Sequence, residues 1–484
     1  MSKRVRPGSQ LAAKNKKDEH NFGKATRRGK HLGKNKRNCN AVDKITRSPH
    51  KLVFSLFVLK GAASTRQKKN LGRKQKIKGE NNLVDGISEL PDEILSSIVS
   101  LLPLKEAAAT SILSKRWQYV WASTLTLNFD ARLEFGDTLW RFNSMPPELK
   151  DLEQHRYVNW IDTVVEQHRG RVIEQFRASF YVDCCFASSI DKWIQFAMNK
   201  RVQVLELVFH IESYNRWGDL YTFPHKLLGL ENGSTLKLEH MRSDIPSLRS
   251  CGYNTGFKLL RVLHFQLVDV TGEVLEYFLS NCPVLERLTV HSAFTNLVNL
   301  RVIGPSVALK YLDIKFCPYL QSIEICDANL LSLDYEGSAI NMLVSNVPLL
   351  VEVSISMSLD FAVDADDGEI YFKSAEAPFT QLSCCLSQLE VLKLDTEGAM
   401  YNRNHVFPVL TNLKHLELRV KADDRWALCR LTSFMKASPF LQRLVLKVCI
   451  SAYLVRCTII HCVYFVHHLL ISTAANEAIT IIDR

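Results

Sequence analysis

From Leu90 the apolar residues recur every three or four positions. Leu90, Ile94, Ile98 and Leu101/Leu102 form one stripe, the spacing of an amphipathic helix. Pro91 suits the first helical position, because its missing N–H would be unpaired there anyway. Asp92 and Glu93 then place carboxylates at the positive end of the helix dipole. Pro103 ends the helix. Leu104 to Leu113 reads as a second short helix, and Ser114 can cap a third that carries Trp117 and Trp121 on one face. Three short helices bury little surface by themselves. So many large apolar groups imply a face that docks on a partner or packs on the chain's own domain.

Farther on, the period changes to two. A Leu-x-x-Leu-x-Leu unit, with substitutions, begins at Val202/Leu205/Leu207 and is degenerate at Leu236/Leu238. It continues from Leu260/Leu263/Phe265 to Leu441/Leu444/Leu446. First-leucine intervals from Leu260 onward are 25, 24, 21, 20, 39, 24 and 28 residues, a period that fits leucine-rich repeats. Half-matches at Leu297/Leu300/Val302 and Leu320/Ile323/Ile325 fall between the full units. Each Leu-x-Leu is a short strand with apolar side chains turned inward. One strand cannot bury that face alone, so neighbours stack into a solenoid. Asn281-Cys282-Pro283 occupies the place where such repeats use Asn or Cys to tie the turn. The 39-residue interval implies an insertion near 356–388. It holds Asp360, Asp364, Asp366, Asp367 and Glu369 without the glycine that a calcium loop requires.

Between the two patterns, residues 131–200 read as a mostly helical connector. Val158, Ile161, Val164 and Val165 share one face, and Ile190, Trp193, Ile194 and Ala197 share another.

Charge adds a fourth region. The net charge of +11 is uneven: residues 1–80 hold 24 Lys and Arg against 4 Asp and Glu, while the remainder holds 37 against 46. The first 80 residues therefore read as a disordered basic arm. Its clusters around Arg27–Arg37 and Lys68–Lys78 are candidates for nuclear import or phosphate contact. No aromatic residues are interleaved to stack bases, which argues against nucleic acid as a partner. The 13 cysteines follow no disulfide or zinc spacing, and Cys457, His461 and Cys462 lack a zinc-site pattern too. No metal and no cofactor are expected. Ile450 to Ile471 is apolar but broken by Arg456, His461, His467 and His468, so no membrane span is expected.

The helical stretch resembles an F-box. The family's pattern appears as Ile87–Leu95 (ISELPDEIL), Leu102–Pro103, Thr110–Trp121 (TSILSKRWQYVW) and Leu127–Asp130 (LNFD), with Gly86 where many relatives carry a basic residue. The whole of 85–450 is similar to plant F-box proteins with leucine-rich repeats, often followed by an FBD segment. Ser438–Leu441 resembles the opening of that segment.

The resemblance implies an α/β chain. A three-helix F-box over 85–130 leads through the connector to leucine-rich repeats over 201–437, a curved parallel sheet with helices outside, and a partial FBD-like segment over 438–484. It implies a non-catalytic substrate receptor of an SCF (Skp–cullin–F-box) ubiquitin ligase in the nucleus and/or cytoplasm. A Skp-type adaptor, and through it a cullin, would bind a face that Leu90, Pro91, Ile94, Leu95, Ile98, Leu101, Leu113, Trp117 and Trp121 contact or shape. A protein substrate would meet the outward x residues of the strands, Asp313, Glu324 and Asp334 among them. The alternative is a scaffold or nucleic-acid-associated repeat protein that uses the basic arm. No nucleophile elbow, HExxH or glycine-rich nucleotide fingerprint argues for an enzyme.

Overall fold

The computed structural model describes residues 87, 89–132, 141–210, 220–225, 233–243, 258–294, 296–304, 307–338, 340–357, 382–395, 409–421, 436–449 and 479–483. The basic arm, most of the acidic insertion, and Cys457, His461 and Cys462 lie outside the described residues.

Helix α1 spans Asp92–Val99. Pro91 precedes it with φ −54° and ψ 151° instead of holding its first position. Its carbonyl accepts from the Ile94 and Leu95 amides at 3.1 and 3.0 Å, so the proline closes the first turn without needing an N–H of its own. Pro103 does the same for α2, Leu104–Ala109, accepting from the Ala107 amide at 2.9 Å. Helix α1 has already ended by then, at Val99. Helix α3 is a single turn, Trp117–Val120, and the Trp117 amide donates to Ser114 Oγ at 3.4 Å. After it come β1 (Thr126–Asp130), α4 (Pro147–Gln167), β2 (Gln175–Phe180), α5 (Ala187–Asn199), β3 (Val204–Phe209), β4 (Thr235–Glu239) and the short β5 (Arg242–Ser243).

The remaining elements are β6 (Val262–Gln266), β7 (Asp269–Val270), α6 (Gly272–Asn281), β8 (Arg287–His291), β9 (Asn299–Ile303), β10 (Tyr311–Lys315), β11 (Ser322–Cys326), β12 (Ser332–Gly337), β13 (Asn341–Ser345), β14 (Glu352–Met357), β15 (Val391–Asp395), β16 (His415–Lys421), β17 (Arg443–Cys449) and β18 (Ile479–Asp483).

Thirteen strands form one parallel sheet in the order β1-β2-β3-β4-β6-β8-β10-β12-β14-β15-β16-β17-β18. All ten repeat units are strands of this sheet. Their inward residues stand in one register row, from Leu127 and Phe176 through Leu263, Leu288 and Leu312 to Leu416 and Leu444. Every member named is buried. The half-matches have a separate destination. They form β9 and β11, which join β13 in a second parallel sheet. The two-fold periodicity did not distinguish these two sheets, since both alternate buried and open positions.

Several repeats leave their strands through a left-handed residue: His240, Leu267, Ser292, Phe316, Asp327 and Asn346 have φ between 47° and 55°. That conformation costs a non-glycine residue about 1–2 kcal/mol. A ladder of hydrogen bonds offsets it. The His240, Leu267, Ser292 and Phe316 amides donate to a carbonyl at the end of the next strand, on Gln266, His291, Lys315 and Glu336, at 2.7–3.2 Å. Gly272 answers a different need, close approach: a Cβ there would stand 1.9 Å from the Asn299 carbonyl oxygen. Asn281 does not tie a neighbouring repeat, because its side chain donates to the Tyr277 carbonyl one helical turn back.

The sheet begins earlier than the repeat pattern. Strand β1 lies in the F-box stretch and β2 in the segment expected to be helical, and they pair in parallel from Thr126↔Gln175 to Asp130↔Ser179. Helices α4 and α5 cover this end; the Trp193 indole N–H donates to Asp162 Oδ1 at 2.6 Å. The buried Tyr157 hydroxyl donates to the Phe129 carbonyl at 2.7 Å and accepts from the Ser179 amide at 2.8 Å, clamping β1 to β2. Tyr157→Phe should cost about 1–3 kcal/mol, because two buried backbone groups lose a partner. Urea unfolding of the variant checks this; an unchanged midpoint would refute the clamp.

Candidate functional site

The helical stretch exposes a stripe that a globular domain would ordinarily bury. Ile94, Ile98, Leu101 and Leu113 are 47%, 41%, 85% and 65% exposed, whereas Leu95, Trp117 and Trp121 are 0%, 7% and 5% exposed. Helix α1 therefore has two apolar faces. Leu95 and Val99 pack inward, and Ile94 and Ile98 look out. Of the residues expected at the adaptor face, Pro91, Ile94, Ile98, Leu101 and Leu113 are exposed and Leu90 is half-buried. Leu95, Trp117 and Trp121 are inside the fold and act by holding that face up. Leu102, Ile112 and Tyr119 are exposed as well, Tyr119 with the Arg169 guanidinium 4.3 Å over its ring. The stripe spacing already included Leu102; Ile112 and Tyr119 had no periodic signal.

Two devices fix this face. The Arg116 guanidinium donates to Asp92 Oδ1 at 2.8 and 3.0 Å and to the Leu90 carbonyl, tying the start of α3 to the start of α1. The second anchors the helices to the sheet. The Leu125 amide donates to Ser100 Oγ at 2.7 Å, the Arg169 amide to the Ala122 carbonyl at 2.6 Å and the Glu174 amide to the Leu125 carbonyl at 2.8 Å. The His168 ring meets the Thr124 carbonyl at 3.0 Å. Burial lowers the pKa of this imidazole, so it is neutral at neutral pH.

The other candidate is the face of the main sheet turned away from the core. Its middle row runs Asn128, Arg177, Glu206, Lys237, His264, Thr289, Asp313, Asp334, Ser354, Lys393, Glu417 and Val445. Glu324 is not in this row. It stands on β11 of the second sheet and pairs with Arg301 at 3.0 Å. A half-match gave it the same Leu-x-Leu spacing, but its strand belongs to the other layer.

Asp313 and Asp334 are adjacent on β10 and β12, yet they are not a bare acidic patch. Lys315 lies 3.4 Å from Asp313 and 2.8 Å from Asp334, and His291 Nε2 lies 3.1 Å from Asp313. Burial pushes the Asp313 carboxyl up, but His291 and Lys315 outweigh it and hold it below the usual carboxylate range. Burial, helped by Lys237, lowers His264 to about 4. Toward β1 a second network joins Asp130 to Arg132 at 2.7 Å and to Arg177 at 3.4 Å, and Arg177 to Glu206 at 3.2 Å. This face is a mosaic of opposed charges.

Sequence spacing held no metal-ligand pattern, but the fold brings three candidate ligands together. One donor atom from each of His210, Glu239 and His240 lies within 4.8 Å of the others. They come from successive repeat corners about thirty residues apart, a distance that a local spacing rule does not see.

No helix among the described residues is long and apolar enough to cross a membrane. Comparison with known proteins matches the same two parts of the chain. The F-box domain matches residues 87–126. The family described as At1g61320/AtMIF1, LRR domain, matches residues 164–461, more than half of the chain. An Arabidopsis thaliana F-box/FBD/LRR-repeat protein, At4g26340, is 28% identical over 377 residues, covering 75% of this chain and 77% of that protein. The F-box/LRR-repeat protein At1g06630 of the same plant is 26% identical over 377 residues, covering 75% of this chain and 85% of its own. A third, the F-box/FBD/LRR-repeat protein At4g00160, is 30% identical over 232 residues, covering 48% and 46%. With F-box helices whose following strand opens a long leucine-rich parallel sheet, and with both families matched on those parts, the chain belongs to the F-box/LRR-repeat proteins of plants.

Proposed function

We propose that this chain is the non-catalytic substrate receptor of an SCF ubiquitin ligase. The observation that carries the reading is the exposed stripe of Ile94 and Ile98 on α1 and Leu101 and Leu102 in the turn after it, tied to the residue before β1 by the Leu125–Ser100 hydrogen bond. An apolar helix face left partly open to solvent among the described residues suits a helical groove on a Skp-type adaptor, and F-box domains generally bind such adaptors. The adaptor would bring a cullin, and the cullin a ubiquitin-conjugating enzyme. The chain's own work would then be positional: holding a substrate lysine near a thioester raises their effective concentration.

Ile94→Asp with Ile98→Asp should cost roughly 2–4 kcal/mol of adaptor affinity, the scale for residues at an interface centre. Both side chains face outward, so the circular dichroism spectrum and unfolding midpoint should stay close to those of the native chain. Titration of purified adaptor against both proteins measures this. Equal affinities would refute the reading.

The substrate would bind the outward face of the main sheet. Ion pairs there are only partly exposed, with side chains such as Asp313 and Lys315 about a quarter open to solvent. Their alternating signs favour a mixed-charge protein surface, steered by field and fixed by a few buried contacts. Asp313→Lys with Asp334→Lys should weaken capture and flatten its salt dependence, while Glu324→Lys, on the second sheet, should not. The readout is recovery of substrates tagged by proximity labelling with proteasome activity blocked. Equal loss from both variants would remove the outward face as the recognition surface.

A further inference from the structure

Two neighbouring corners at the carboxyl end of the sheet present an unusual set of side chains. His210 directly follows β3, Glu239 is the last residue of β4, and His240 turns the corner after it with φ 53°. Backbone hydrogen bonds to adjacent strands fix these corners: the His210 amide donates to the Phe180 carbonyl at 2.9 Å and the His240 amide to the Gln266 carbonyl at 3.2 Å. The backbone thus delivers both imidazoles and the carboxylate to one place, with a donor atom of each within 4.8 Å of the others.

Glu239 and His240 are 9% and 8% exposed. His240 Nδ1 is buried without a hydrogen-bond partner. The Glu239 carboxylate oxygen nearest to it is 3.7 Å away, beyond hydrogen-bond length. Among the described residues no Arg or Lys forms an ion pair with Glu239, although Arg132, Arg177 and Lys237 act on it from farther away. Arg132 and Arg177 are themselves engaged by Asp130 and Glu206. A buried carboxylate beside a buried imidazole nitrogen that lacks a partner is costly as it stands.

We propose that His210, Glu239 and His240 bind one divalent transition-metal ion, zinc being the best match. Two imidazoles and a carboxylate are the donor types that zinc accepts, at about 2.0–2.2 Å. Donors on a tetrahedral ion are about 3.3 Å apart by that geometry, so the cluster must close by about 1.5 Å at most to hold it. The ion joins the corner after β3 to the corner after β4. Three protein donors leave a fourth position for water or for a side chain of a bound protein.

Cobalt(II) titrated into the metal-stripped full chain tests this. It reports its ligands by colour, and the described cysteines are free thiols that could compete. The expected result is one saturable equivalent whose absorption is that of nitrogen and oxygen ligands, without a thiolate charge-transfer band, and which zinc displaces. His210→Gln and His240→Asn, the latter compatible with the left-handed backbone, should each weaken binding at least about tenfold; losing even an outer-shell partner costs that much. Zinc should raise the melting temperature of the native chain, but not of these variants. A thiolate band, absence of saturable binding, or unchanged affinity in both variants overturns the proposal. If either histidine variant fails to fold, Glu239→Gln replaces it, and a thiolate band in the unmutated chain overturns the proposal without any variant.

Discussion

The pairing of β1 with β2 is the contact on which the rest depends. Five residues that close the F-box stretch, Thr126–Asp130, become the first strand of a thirteen-stranded sheet. The pairing is reinforced on both faces. On the core side, Phe129 lies edge-on to Trp160 at 5.1 Å and tilted against Phe176 at 5.5 Å, and Tyr157 bridges the two backbones. On the outer side, Arg177 reaches Asp130. A small helical module that could not hold a large apolar face to solvent by itself is thereby anchored to a core that can. The exposed stripe is tolerated because Leu95, Val99, Trp117 and Trp121 pack inward.

Rigidity at this junction bears on function. If the chain acts as the proposed receptor, holding two partners at a fixed separation, a flexible link between the exposed helical face and the sheet would dilute effective concentration. Here the link consists of hydrogen bonds and buried rings, with α4 and α5 packed over it. The corner ladder extends the same stiffness from repeat to repeat. A left-handed corner residue is strained alone and stable only because the next strand accepts its amide, which makes neighbours mutually dependent.

Much of this was legible in the residues, for physical reasons that also explain the misses. Ten Leu-x-Leu units mapped onto ten strands because inward leucines have one physical role, to stack. Strand β2 escaped because Phe176 and Ala178 fill the inward positions that leucine fills elsewhere, and because only six residues separate its end from α5; β1 has Leu127 inward but was read as the close of the helical stretch. Glu324 was set in the wrong layer because alternation gives a residue's face within its own sheet and not which sheet its strand joins. The spacing could not separate residues that would contact an adaptor from those that shape the face; burial does, placing Leu95, Trp117 and Trp121 in the second group. The cluster of His210, Glu239 and His240 had no local spacing at all; only stacking of repeats brings it together.

The central claim is that the F-box helices and the leucine-rich sheet unfold as one body through β1. Native-state hydrogen exchange of the full chain tests it most directly. The amides of Thr126–Asp130 should open with the same free energy as those of Gln175–Phe180 and Val204–Phe209, and rise and fall with them across denaturant. Exchange of β1 together with α1–α3 at a clearly lower free energy, while β2 and β3 stay protected, would contradict it.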